Sequence, residues 1–159
     1  MKLAGIDYST HCIDVVLLDD SPAAAGELPW WIQYNLPSVG NAFERTREVA
    51  EVLPARRSVF WDDVYAVAIE EAFGYGGSAA KLMRVQGAIL SCIPRDVTVV
   101  PLAPATWRAS AGLRAQSSKQ EVREWVMAEL GIDPPWSQDA CDAYCLVRAL
   151  AGKLEEVEV

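Results

Sequence analysis

The chain has 159 residues, 52% hydrophobic and 23% charged. That is enough apolar material for one core and the balance of a globular domain, which excludes a disordered or fibrous chain. No apolar run reaches the length of a membrane span, and the start Met1-Lys2-Leu3-Ala4-Gly5-Ile6-Asp7 has an acid at position 7 and no small-residue cleavage site, so it is not expected to be a signal peptide. A formal net charge of −8 speaks against nucleic-acid binding over the surface as a whole.

Residues 2–8 are expected to form a strand and residues 12–19 a second one. The turn Ser9-Thr10-His11 between them is so short that the pair must be antiparallel. Pro22 and Gly26 mark a loop. Residues 30–36 are aromatic and β-branched enough for a third strand, and Pro29 and Pro37 at its ends favour a sheet edge. Asn41 and Glu44 form a capping box for a helix that ends near Val52, before Pro54. Residues 64–69 are nearly all apolar, as in a strand buried on both faces, and run into Glu70-Glu71. After Gly74, Gly76 and Gly77 comes a helix over 78–93, apolar on most sides, and then a buried strand over 97–102. Residues 106–110 suit a helical turn. Ser118 and Glu121 cap a helix that ends near Leu130-Gly131. Pro134, Pro135 and the N-cap Ser137 open the last helix, whose acidic end, 153–159, is expected to fray. The order βββαβαβαα predicts an α/β fold: one domain over 1–159 with a mixed five-stranded sheet, three antiparallel strands then parallel ones, and helices on both faces.

Charge is unevenly spread. Residues 73–123 carry Lys81, Arg84, Arg95, Arg108, Arg114, Lys119 and Arg123 against Asp96 and Glu121 only, a basic zone that can meet phosphate inside an acidic chain. Cys12, Cys92, Cys141 and Cys145 form no CxxC pair and fit thiols of a reducing compartment, so a cytoplasmic location is expected. The single histidine, His11, is too isolated for a zinc site or a triad.

Four carboxylates stand out, two of them where apolar residues are expected. Asp7 lies in an apolar strand, and Glu70 ends another. Asp139 and Asp142, three apart, share one helix face. Because strand side chains alternate, Glu71 cannot face the same site as Glu70. A fold that set Asp7 beside Glu70 and laid the last helix across them would bring all four acids together. Such acids repel one another unless cations neutralise them. An all-oxygen set selects Mg²⁺ or Mn²⁺, and two such ions clamp a phosphodiester for hydrolysis.

Several motifs then occur in order: Gly5-Ile6-Asp7, Ala68-Ile69-Glu70-Glu71-Ala72-Phe73, Ser78-Ala79-Ala80-Lys81-Leu82 with Gly87 following, Ser118-Lys119-Gln120-Glu121-Val122, and Asp139-Ala140-Cys141-Asp142-Ala143. In this order and spacing the chain resembles the RuvC-type Holliday junction resolvases, which have an RNase H-like fold. The resemblance implies a Mg²⁺-dependent endonuclease that cuts branched DNA (Holliday junctions, forks or flaps) to leave a 5′-phosphate and a 3′-hydroxyl. It puts the metal-binding and catalytic acids at Asp7, Glu70, Asp139 and Asp142, with two ions per site and Mn²⁺ able to replace Mg²⁺. It puts the aromatic that enters the junction at Phe73 and basic DNA contacts at Arg108 and Lys119, which Lys81 of the third motif joins. It makes helix 78–93 the homodimer surface. The chain departs from the family at Ser9, where glycine is usual, and over 20–63, where nothing matches clearly. Its size and divergence suit a phage-encoded member.

Two other functions fit part of this pattern. Gly5-Ile6-Asp7-Tyr8-Ser9-Thr10 also resembles the first phosphate loop of the actin-like and sugar-kinase fold, a nucleotide-binding phosphotransferase, but that architecture needs two such domains. A non-catalytic DNA-binding relative would not need the four intact acids.

Overall fold

The computed structural model describes residues 1–19, 27–37, 40–55, 58–72, 74 and 76–157. The first hairpin follows from its turn. Ser9 Oγ accepts from the backbone N–H groups of His11 and Cys12, and Ser9 N–H donates to the Cys12 carbonyl at 2.9 Å. Strands β1 (Lys2–Tyr8) and β2 (Cys12–Asp19) therefore pair antiparallel, with Asp7 opposite Asp14. Strand β3 (Trp30–Asn35) adds to β2 and lies at the sheet edge, as the flanking prolines predict.

The chain then crosses the sheet through α1 (Ala42–Val52), whose Asn41–Glu44 capping box forms as expected. Strand β4 (Val64–Glu70) enters beside β1, parallel to it, and α2 (Gly77–Cys92) leads to β5 (Thr98–Leu102), parallel to β4. The order β3-β2-β1-β4-β5 is the predicted mixed sheet, and β4 is buried on both faces because it lies between two neighbours under two helical layers. The expected helical turn near 106–110 is a full helix, α3 (Pro104–Ser110), because Pro104 at its first turn costs no hydrogen bond. Helix α4 (Lys119–Leu130) starts at the Ser118–Glu121 capping box and ends at Gly131, whose φ of 69° is left-handed. Helix α5 (Gln138–Val157) runs on through Glu155 and Glu156. No helix among the described residues is long and apolar enough to cross a membrane, and no disulfide joins Cys12, Cys92, Cys141 or Cys145 among the described residues.

Two cores result, one on each face of the sheet. Ala4, Ile6, Ile13, Val15, Val67 and Ile69 face α1 and α2, whereas Leu3, Val16, Ala66 and Ala68 face α5, with α3 and α4 packed beside it. Each fully buried large side chain contributes roughly 1.5–3 kcal/mol.

The apolar excess of α2 is divided between these surroundings. Val85 and Ile89 are buried within the chain against the sheet and α1. Met83 and Leu90 remain exposed. The sheet covers one side of α2, and α1 packs along part of another.

Candidate metal and nucleic-acid site

The site forms where the carboxyl ends of the two central parallel strands meet the start of α5, the usual place for ligands in open α/β sheets. In the parallel register Gly5 faces Ala68 and Ile6 faces Ile69. Asp7 and Glu70 therefore come next, side by side, on the α5 face that Leu3, Ala66 and Ala68 also line. Glu71 is exposed, and its N–H closes the sheet end onto the Leu102 carbonyl.

Gly5 sets the height of α5 above the sheet. A Cβ at position 5 would stand 2.0 Å from the Ala143 carbonyl oxygen and 2.9 Å from Val147 N, so only glycine lets the helix backbone rest on β1. Ala140 and Ala143 on the helix and Ala66 and Ala68 on the sheet, all fully buried, keep the rest of that contact equally close. At the helix start, Ser137 Oγ accepts from Ala140 N–H at 2.9 Å and its carbonyl accepts from Cys141, the N-cap geometry the sequence predicts.

This placement brings three of the four predicted acids together: one carboxylate oxygen each from Asp7, Asp139 and Asp142 lies within 4.8 Å of the others. Glu70 stands outside that trio, and its Oε2 accepts from Trp107 Nε1 at 3.0 Å. Trp107 is completely buried. Asp142 is only 8% exposed, and its Oδ1 is buried with no hydrogen-bond partner among the described residues.

Electrostatics follow from burial and crowding. Desolvation, then the charges of Glu70, Asp142 and Asp139, push the Asp7 carboxyl well above its ordinary range. Asp142 is pushed up to about 6, chiefly by burial, with Glu70 and Asp139 adding to it and Lys119 and Arg108 opposing. Burial also raises Glu70, and the Trp107 hydrogen bond holds it down. Tyr8, beside Glu70 and Asp7, is raised for the same reasons.

The basic residues divide. Lys119 Nζ meets Asp139 Oδ1 at 2.9 Å, and its hydrogen bond to Asp139 raises its own pKa. Arg108 stacks over the Trp107 ring at 4.7 Å and donates to the Ala115 carbonyl, while its Nε is buried without a partner. Its charge is felt at Glu70 and Asp142. Lys81 is exposed on α2 and makes no ion pair among the described residues. Phe73 lies outside the described residues. His11 is exposed, in contact with Thr10 Oγ1.

Sequence reasoning missed Trp107, Cys12 and Asp14. Cys12 Sγ donates to Asp139 Oδ2 at 3.7 Å. Asp14 is completely buried on the site face of β2. It could have been flagged by the signal that marked Asp7, an acid within an apolar strand. Nothing in the local pattern around Trp107 distinguishes it from an ordinary core aromatic.

The three acids with an orphaned buried oxygen offer hard donors only, which fits Mg²⁺ or Mn²⁺ and not zinc. No protein-family model and no curated protein matches the chain. Among solved structures, RuvC from Thermus thermophilus matches with a TM-score of 0.67 at 21% identity, over 98% of this chain and 96% of that one. T. thermophilus RuvC in complex with a Holliday junction substrate matches with a TM-score of 0.69, again at 21% identity and over 98% and 96% of the two chains. The chain thus has the RuvC-type, RNase H-like fold that its motifs imply.

Proposed function

We propose that this chain is a divalent-metal-dependent endonuclease that cuts branched DNA, a Holliday junction resolvase of the RuvC type. The observation that carries this reading is Asp142 Oδ1. A buried carboxylate oxygen with no donor, set beside Asp7 and Asp139, is costly unless a cation completes it. The T. thermophilus RuvC bound to a Holliday junction supports the choice of substrate class.

In this reading Asp7, Glu70, Asp139 and Asp142 would hold the divalent cations, Mg²⁺ or Mn²⁺, two to a site. When bound, the metal would supply Lewis-acid chemistry for phosphodiester hydrolysis. Lys119 and Arg108 orient the scissile strand through its phosphates. Lys81 and Phe73 serve as outer DNA contacts, Lys81 to backbone and Phe73 to the opened junction. A homodimer formed across the exposed Met83 and Leu90 of α2 would present two sites to a two-fold symmetric junction. The whole of 1–159 acts as one nuclease domain, and its cysteines, unbridged by disulfides among the described residues, suit a reducing cytoplasm.

The test is incubation with labelled four-way junctions, forks, flaps and plain duplex, each with Mg²⁺ and with EDTA, using wild type and Asp7→Asn. Junction-selective nicking that needs Mg²⁺, lost in Asp7→Asn while junction binding persists, is the expected result. Cleavage in EDTA, or full activity of the variant, defeats the metal assignment; metal-independent binding with no cleavage would identify a non-catalytic relative. Light scattering at micromolar concentration should give twice 17.4 kDa, and Met83→Lys should return it to the monomer.

A further inference from the structure

Asp14 sits directly across the strand pair from Asp7 and is completely buried, yet it does not face the acid trio as a free ligand. One of its oxygens, one of Asp139 and the Cys12 sulfur lie within 4.8 Å of one another, which taken alone suggests a second metal position. Its hydrogen bonds say otherwise. Oδ1 accepts from Trp31 Nε1 at 2.9 Å, from Gln33 Nε2 at 3.2 Å and from Ser137 Oγ at 2.8 Å, and Oδ2 accepts from Gln33 Nε2 at 3.1 Å. A carboxylate so fully engaged by neutral donors has little left to offer a cation.

The bond to Ser137 has a further consequence. A serine hydroxyl that only capped a helix would be free to rotate its proton toward solvent. Here the proton goes to Asp14 and the lone pair goes to Ala140 N–H, so the cap has one orientation. Trp31 and Gln33 brace Asp14 from β3, which makes the linkage run from the sheet edge through β2 to the first turn of α5. That turn carries Asp139, and Asp142 follows one turn later on the same face.

We propose that Asp14 is a positioning residue for the acid site. Acting through Ser137, it fixes the start of α5 and thereby the spacing of Asp139 and Asp142 from Asp7. The proposal rests on the metal-site reading for its function but on the hydrogen bonds for its mechanism. Outer-sphere partners of this kind typically change metal affinity 10–100-fold when removed.

The test uses the full chain with Asp14→Leu, which keeps the volume but removes the acceptor, Ser137→Ala, their double variant, and Ser137→Thr, which keeps a hydroxyl that can both donate and accept. Two readouts are taken: Mn²⁺ affinity by calorimetry, and amide hydrogen exchange at Ala140 and Cys141. Asp14→Leu and Ser137→Ala should each weaken Mn²⁺ binding roughly tenfold or more and speed exchange in that turn. The double variant should lose no more Mn²⁺ affinity than Ser137→Ala, and Ser137→Thr should restore most of both. If Asp14→Leu leaves exchange at Ala140 and Cys141 unchanged, the proposal is overturned. It is also overturned if Asp14→Leu weakens Mn²⁺ binding while Ser137→Ala does not, since Asp14 would then be a direct ligand. If wild type binds no Mn²⁺ but both variants speed local exchange, the anchor stands and the metal reading falls.

Discussion

Lys119 Nζ lies 2.9 Å from Asp139 Oδ1, so the first residue of α4 places an ammonium against an acid of α5. The same ammonium lowers the pKa values of Glu70 and Asp142. Among the described ion pairs it is the one that reaches the Asp7–Asp139–Asp142 group, and under the proposed function it would compete with a metal for Asp139.

Removing that competitor should therefore have two opposite effects. Lys119→Met should tighten Mn²⁺ binding by the free protein, because Asp139 no longer has a partner to give up. It should weaken junction binding and reduce the slope of log affinity against log salt by about 1, the loss of one phosphate contact. Calorimetry and a salt titration of junction binding read the two effects on one preparation. Weaker Mn²⁺ binding with an unchanged salt slope would mean that Lys119 serves the cluster and not DNA.

Gly5→Ala should be strongly destabilising, because the new methyl meets backbone atoms of α5 that cannot rotate away. Overpacking of this kind costs about 1–3 kcal/mol or more, and any relaxation lifts Asp139 and Asp142 off Asp7. Gly152→Ala is the control with the opposite sign. Position 152 is in helix α5 with nothing within 4 Å of a new Cβ, so the change should stabilise by about 0.5–1 kcal/mol. Urea unfolding of the two variants decides whether the close approach at Gly5 is real.

Trp107→Phe keeps an aromatic ring, though a smaller one, and removes the N–H that donates to Glu70 Oε2. That bond favours the ionised carboxylate against the burial that raises its pKa. The variant should therefore ionise Glu70 only at higher pH. The acidic limb of the cleavage pH profile should move upward, while the response near neutral pH in saturating metal should change little. An unmoved limb would remove Glu70 from the groups that must be ionised.

Asp142→Asn should raise the metal-free melting temperature. Burial, with the neighbouring acids, lifts Asp142 from 3.8 to about 6 in the folded state, so its protonated form is the one the fold tolerates. The stability tied to this group is complete below the unfolded value and is lost as pH rises through about 6. Above neutral pH a two-unit difference corresponds to about 3 kcal/mol as an order of magnitude. The advantage of the Asn variant over wild type should accordingly shrink as pH falls from about 7.5 to about 5. Mg²⁺ should stabilise wild type and do so less in the variant. A solvated acid at a helix start would behave in the reverse way, with the Asn variant less stable through loss of the dipole interaction. Scanning calorimetry at the two pH values, with and without Mg²⁺, separates them.

Local rules in the sequence determined the elements because they act over a few residues. The Asn41–Glu44 and Ser118–Glu121 capping boxes, the Ser9–His11 turn, Gly131 and the doubly buried run 64–69 each place an element without reference to distant chain. The same local logic marked Asp7 and Glu70 as acids in apolar strands and Asp139 and Asp142 as one helix face. Tertiary structure alone decided what lies between those elements. The seating of α5 on Gly5 draws Asp7, Asp139 and Asp142 into one group and leaves Glu70 with Trp107. On the opposite face, the packing of α2 against the sheet and α1 buries Val85 and Ile89, which helical periodicity could not assign to the sheet rather than to a partner. Asp14 shows the reason most plainly. Its partners come from positions 31, 33 and 137, and no pattern along β2 can encode a hydrogen bond to a serine 123 residues away. Contacts of that kind depend on the path of the whole chain, so they become visible only once the sheet has set α5 across its centre.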